Sequence, residues 1–144
     1  MDNKFVKMIL KVVRVLLPAV AFFLCTCADS YRIPIKETET SPVVGHISTN
    51  FFDQRIMEYG NWMPIIFVVL CLAAVVMALI CVFKETEKTL TWLANALCLA
   101  MVADLATLIF MDLTPISWGI AGLLAAGVAL TAFQEIQLEK KNKN

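Results

Sequence analysis

Apolar residues in this chain fall in long unbroken blocks rather than in the strict alternation of a half-buried sheet. Five stretches, 15–28, 60–83, 89–103, 105–111 and 113–134, contain no charged residue, so the 12 basic and 12 acidic side chains all lie outside them. The second and the last match or exceed the roughly 20 residues a helix needs to cross a ~30 Å hydrocarbon core. The two blocks flanking Asp104 join into one more span, and the first block makes another. The pattern therefore predicts four spans near 8–28, 62–83, 89–111 and 115–134. The expected fold is all-α, an integral membrane four-helix bundle forming one transmembrane domain over 1–144. An external segment over 29–61 and a short disordered tail at 140–144 complete it.

Composition sharpens this picture. With 60% hydrophobic and 17% charged residues and a mean hydropathy of +0.77, the chain is too apolar for an ordinary soluble domain. Its balanced charge supplies no basic face, which excludes nucleic acid as a partner. The residues left outside the spans are too few to bury the core of a large catalytic domain. Basic residues set the orientation: Lys4, Lys7, Lys11, Arg14, Lys84, Lys88, Lys140, Lys141 and Lys143 fall on one side, and Arg32, Lys36 and Arg55 on the other. The positive-inside rule then predicts a multi-pass protein of the cell membrane with N- and C-termini cytoplasmic. Lys11 and Arg14, inside the opening turns of the first span, are expected to snorkel toward the headgroups.

Local chemistry marks the span boundaries. Pro64 and Pro115 fit first-turn positions, with the Thr114 hydroxyl as N-cap for the last helix. Pro18 lies inside the first span, removes a backbone hydrogen bond and predicts a kink. Tyr59, Trp62 and Trp118 collect at the outer boundary and Trp92 at the cytoplasmic one, where amphipathic rings suit the headgroup level. The first span reads as an uncleaved helix in preference to a signal peptide cut before Asp29. A lipoprotein signal fits less well, because Leu24 precedes Cys25 and Thr26 precedes Cys27. In the external segment, Tyr31, Ile33 and Ile35 alternate with polar residues or proline and, with a second apolar patch at 43–47, predict a short hairpin that Pro34 weakens. Beyond it, Asn50 caps a prospective interfacial helix with Phe52, Ile56 and Tyr59 on one face.

Asp104 is the candidate intramembrane polar site. Exposure of a carboxylate to lipid costs on the order of 2.5 to 3.5 kcal/mol on insertion scales, so a bundle-facing position is expected, beside the small residues Ala96, Ala100, Ala103 and Thr107. It reads either as a hydrogen-bonded structural acid or as a proton or cation site, and Asn95, nine residues away, falls on the opposite helix face. In the fourth span Ala121, Ala125 and Ala129 repeat every four residues with Gly122 and Ala126 alongside, predicting a helix-packing face, within the chain or between two copies. Ala74 and Ala78 in the second span offer a complement. Cys25, Cys27, Cys71, Cys81 and Cys98 form no C-x-x-C pair, and His46 lacks metal-site spacing, so no catalytic residue, metal site or cofactor is assigned.

The stretch Phe51-Phe52-Asp53-Gln54-Arg55-Ile56-Met57-Glu58-Tyr59-Gly60-Asn61-Trp62-Met63-Pro64 resembles small, functionally unassigned four-helix membrane proteins of Gram-positive bacteria. Those proteins similarly place an aromatic external segment and a Gly-Asn-aromatic-x-Pro motif before the second helix; the likeness implies the architecture and no activity. Small multidrug-resistance transporters are similar only in outline, since they carry a Glu in the first helix and minimal loops. The expected function is a non-enzymatic interaction or envelope-assembly module displaying its external segment. The alternative is a small transporter or channel subunit using Asp104. The partners expected are the lipid bilayer and a second copy or another membrane protein.

Overall fold

The computed structural model describes residues 3–27, 31–35, 40–42, 45–49, 62–106, 112–113 and 115–143. Among the described residues, four helices, α1 (Asn3–Cys27), α2 (Met63–Phe83), α3 (Glu87–Ala106) and α4 (Pro115–Lys143), are accompanied by three short strands, β1 (Tyr31–Ile35) and β2 (Gly45–Thr49) between α1 and α2, and β3 (Asp112–Leu113) between α3 and α4. Each helix is long and apolar enough to span a membrane. Each packs mainly against two others, in the cycle α1, α2, α3, α4 and back to α1.

A heptad-like seam explains that packing. The buried positions are Arg14, Pro18, Ala21 and Cys25 on α1, and Pro64, Phe67, Cys71, Ala74, Ala78 and Cys81 on α2. On α3 they are Leu90, Leu93, Leu97, Ala100, Ala103 and Asp104, and on α4 Ser117, Ile120, Ala121, Leu124, Gly127, Thr131 and Gln134. Steps of three and four keep one stripe facing the bundle axis, as in left-handed helical bundles. Large apolar side chains point the other way: Val69, Leu72, Val76, Phe83, Val102 and Phe133 are exposed. With polar groups inside and apolar groups outside, the bundle has the distribution that a hydrocarbon surrounding favours.

As a packing face within the chain, the stripe of small residues expected on α4 is a correction. Ala121 is buried, but Gly122, Ala125, Ala126 and Ala129 are exposed. A four-residue step turns 400°, so a strict four-residue repeat that starts on the seam winds off it, whereas a mean step of 3.5 follows it. Close approach occurs instead at Gly127, against Leu97 and Leu17. Ala74 and Ala78 lie in the core.

Helix boundaries differ from the hydropathy blocks because a helix outlasts its apolar part. Helix α1 starts at Asn3, before the expected 8, and continues on both sides of Pro18, whose carbonyl accepts a 3.5 Å hydrogen bond from Cys71 Sγ. Helix α3 starts at Glu87 because Thr86 and Thr89 cap it reciprocally: Thr89 N–H donates to Thr86 Oγ1 at 3.2 Å and Thr86 N–H to Thr89 Oγ1 at 3.0 Å. The disordered tail expected at 140–144 is likewise corrected, since α4 remains helical to Lys143. Three basic residues, Lys140, Lys141 and Lys143, complement the negative end of its dipole. Asn142 Nδ2 donates to Glu87 Oε1 at 2.8 Å, which ties that end to α3. Lys143 also pairs with Glu139 one turn back and holds that carboxyl below its usual range.

At the end of the bundle opposite the termini, the three strands form one antiparallel sheet in the order β2-β1-β3. Tyr31 opposes Thr49 and Ile35 opposes Gly45, while Leu113 and Asp112 of β3 oppose Tyr31 and Arg32. The second strand is described over Gly45–Thr49 and overlaps the apolar patch expected at 43–47. Pro34 opposes His46 in the β1–β2 ladder. The interfacial helix, Tyr59, Thr107 and the Thr114 cap fall outside the described residues.

Candidate functional site

Among the described residues two polar clusters lie within the apolar bundle, one toward each end. Asp104, in the last described turn of α3, is 0% exposed, and Ser117 Oγ in the first turn of α4 donates to its Oδ1 at 2.9 Å. The heptad seam places both residues: Asp104 is adjacent to the Ala100 and Ala103 positions, and Ser117 is one step before Ile120. Small neighbours leave room for the two helices to approach, and the hydrogen bond ties α3 to α4 near the sheet end.

The second cluster centres on Arg14, which is 0% exposed. Its Nη1 donates to Gln134 Oε1 at 2.6 Å, and its Nη2 donates to the Cys81 carbonyl at 3.2 Å and to Glu85 Oε2 at 3.1 Å. Lys11 Nζ stands 3.4 Å from the same Glu85 oxygen. The guanidinium therefore joins α1, α2 and α4, and snorkelling of Arg14 to the headgroups is corrected. An inward arginine with a carboxylate and two carbonyl-type acceptors avoids the cost that a lipid-facing charge incurs. Sequence reasoning missed this cluster although two signals were present. Arg14 continues the stripe of Pro18, Ala21 and Cys25 at helical spacing, and Gln134 is the polar residue that closes the last uncharged block.

Of the other candidates, Trp62, Trp92 and Trp118 are 58%, 60% and 54% exposed, so each ring is available to a headgroup region. Cys25, Cys71 and Cys81 are buried, and Cys98 is partly buried. Among the described residues no three of His, Cys, Asp and Glu gather to hold a metal ion.

The Asp104–Ser117 contact makes a testable expectation. Asp104→Asn preserves size and the acceptor for Ser117, so thermal stability in detergent should stay near that of the parent. Asp104→Leu strands the buried Ser117 hydroxyl and should cost on the order of 1 kcal/mol more than Asp104→Asn. Equal melting temperatures for the two variants would show that the contact does not join α3 to α4.

No protein-family model, curated protein or solved structure matches this chain.

Proposed function

We propose that this chain is a non-enzymatic integral membrane protein whose helical bundle anchors a small sheet on the external face of the cell membrane for interaction or envelope assembly. The observation that carries the reading is the sheet order β2-β1-β3. Strand β1 belongs to the connection between α1 and α2, and β3 to the connection between α3 and α4, so the displayed segment is held at two points of the bundle. A recognition surface benefits from such restraint, because less conformational entropy is lost when a partner docks. Among the described residues β2 pairs on one side only, which suits addition of an extended strand from a partner. The basic bias of residues at the other end supports cytoplasmic termini.

Reporter fusions after Lys88 and at Asn144 are expected to signal cytoplasm and one at Glu39 the exterior; an external C-terminus would overturn the orientation. For the role, a photocrosslinker at exposed Thr40, in the turn before β2, should yield discrete protein adducts in cells, whereas one at lipid-facing Val76 should not. The same adduct pattern at both positions would remove the interaction reading. The burial of Asp104 supports a second reading, a transporter or channel subunit using that carboxylate. Cation flux in liposomes that disappears in Asp104→Asn would favour it over the first.

A further inference from the structure

At the terminus-bearing end of the bundle, one cavity is lined by more cations than carboxylates. A cavity of about 230 Å³ between α1 and α4 has Lys7, Lys11, Lys141, Glu85, Gln134 and Gln137 as its polar lining, beside Leu10 and Leu138. Its single carboxylate, Glu85, is already claimed by Lys11 at 3.4 Å and by buried Arg14 at 3.1 Å. Gln134, another wall of the cavity, is fixed by its bond from Arg14. Thus three lysines line the space, a guanidinium stands behind its wall, and one acid offsets four positive charges. The volume lies below the roughly 300–1,000 Å³ of sites for drug-sized ligands, which suits a compact anion.

A second cavity, a groove of about 300 Å³, is walled by Met8, Val12, Val15, Leu16 and Val82, with Lys11 at its edge. Lys11 lines both spaces, and the residues of α1 that line the groove run from Met8 to Leu16. A cationic chamber that shares Lys11 with an apolar groove is complementary to an amphiphile whose anionic head and hydrocarbon chain are adjacent. We propose that this end of the protein binds an anionic phospholipid, its phosphate among Lys7, Lys11 and Lys141 and one acyl chain along Val12, Val15, Leu16 and Val82. Basic pockets between membrane helices recognise phosphate headgroups through this combination of charge and depth. The site lies at the opposite end from the sheet and does not depend on what the sheet binds.

Native mass spectrometry of the full chain in detergent, with phosphatidylglycerol, phosphatidylcholine of the same acyl chains, or glycerol phosphate added, tests the assignment. Phosphatidylglycerol should be retained on the order of tenfold more than phosphatidylcholine. The triple variant Lys7→Gln, Lys11→Gln, Lys141→Gln should lose that preference, whereas Lys4→Gln, Lys84→Gln, Lys140→Gln, which removes equal charge from residues outside the cavity, should keep it. Val12→Trp, which fills the groove with a residue that still faces lipid, should weaken phosphatidylglycerol retention severalfold with the lysines intact. A preference that survives the first triple variant, or falls equally in both, would overturn the cationic site. Unchanged retention in Val12→Trp would overturn the acyl groove, and glycerol phosphate retained as well as the lipid would identify a free anion as the ligand instead.

Discussion

Gly127→Leu is expected to break the bundle, with a loss of about 3 kcal/mol or more in unfolding free energy measured by denaturant titration in micelles. Gly127 is buried where three helices meet, and a Cβ at that position would lie 3.3 Å from Leu97 Cδ1 and 3.9 Å from Leu17 Cβ. The leucine methyl can withdraw slightly, so Gly127→Ala should be tolerated far better than any larger residue. The Leu17 Cβ is fixed to its backbone and can move only with α1. Gly122→Leu makes the comparison, since a Cβ there meets nothing within 4 Å and the residue is exposed. It should leave the bundle's stability close to that of the parent, as should Ala125→Leu on the same outward side. Comparable losses at Gly127 and Gly122 would refute the close approach of α1, α3 and α4 at Gly127.

Gln134→Leu should destabilise the bundle by about 1.5 to 3 kcal/mol, the cost of removing an acceptor from a buried charged donor. The more discriminating outcome is the reversal: adding Arg14→Met should restore most of that loss. Once the guanidinium is gone, its desolvation cost disappears with it, and an apolar pair of similar volume fills the same layer. Glu85 can bear the loss of Arg14 because its side chain is 28% exposed and keeps Lys11 at 3.4 Å. The two substitutions therefore should not add, and a double-mutant cycle in detergent should return a coupling energy of more than about 1 kcal/mol. Strict additivity would mean that the 2.6 Å bond between Arg14 and Gln134 carries no stability.

Hydropathy made the four helices legible because the feature that decides a span, a run of apolar residues as long as a bilayer is thick, is one-dimensional. The first strand of the hairpin was legible for a similar reason, through the alternation at Tyr31, Ile33 and Ile35. The seam was harder to read. Both faces of these helices are apolar, so hydrophobic contrast cannot tell the core side from the lipid side, and the search turns to small residues. In α4 that criterion selected Gly122 and Ala125, which face outward, and passed over Gly127. The helical tail to Lys143 was missed because Glu87, the partner of Asn142, is distant in sequence and their side-chain bond exists only after folding. Arg14 escaped notice because a single cation near a span end has an ordinary home in the headgroups, and only the coincidence of Gln134, Glu85 and the Cys81 carbonyl makes an inward orientation favourable.

The pairing of β3 with β1 also bears on how the chain is threaded through the membrane. Tyr31 and Arg32 precede α2, whereas their partners Leu113 and Asp112 follow α3. The two strands can meet only if both connections lie on one side of the bilayer, which requires that α2 and α3 have both crossed it or that neither has. Were α3 alone to remain uninserted, Asp112 and Leu113 would be left across the membrane from β1. The ladder therefore acts as a parity check on insertion, indifferent to which side is outside. It bears on the span that most needs one, since α3 is the least apolar of the four and carries Asp104.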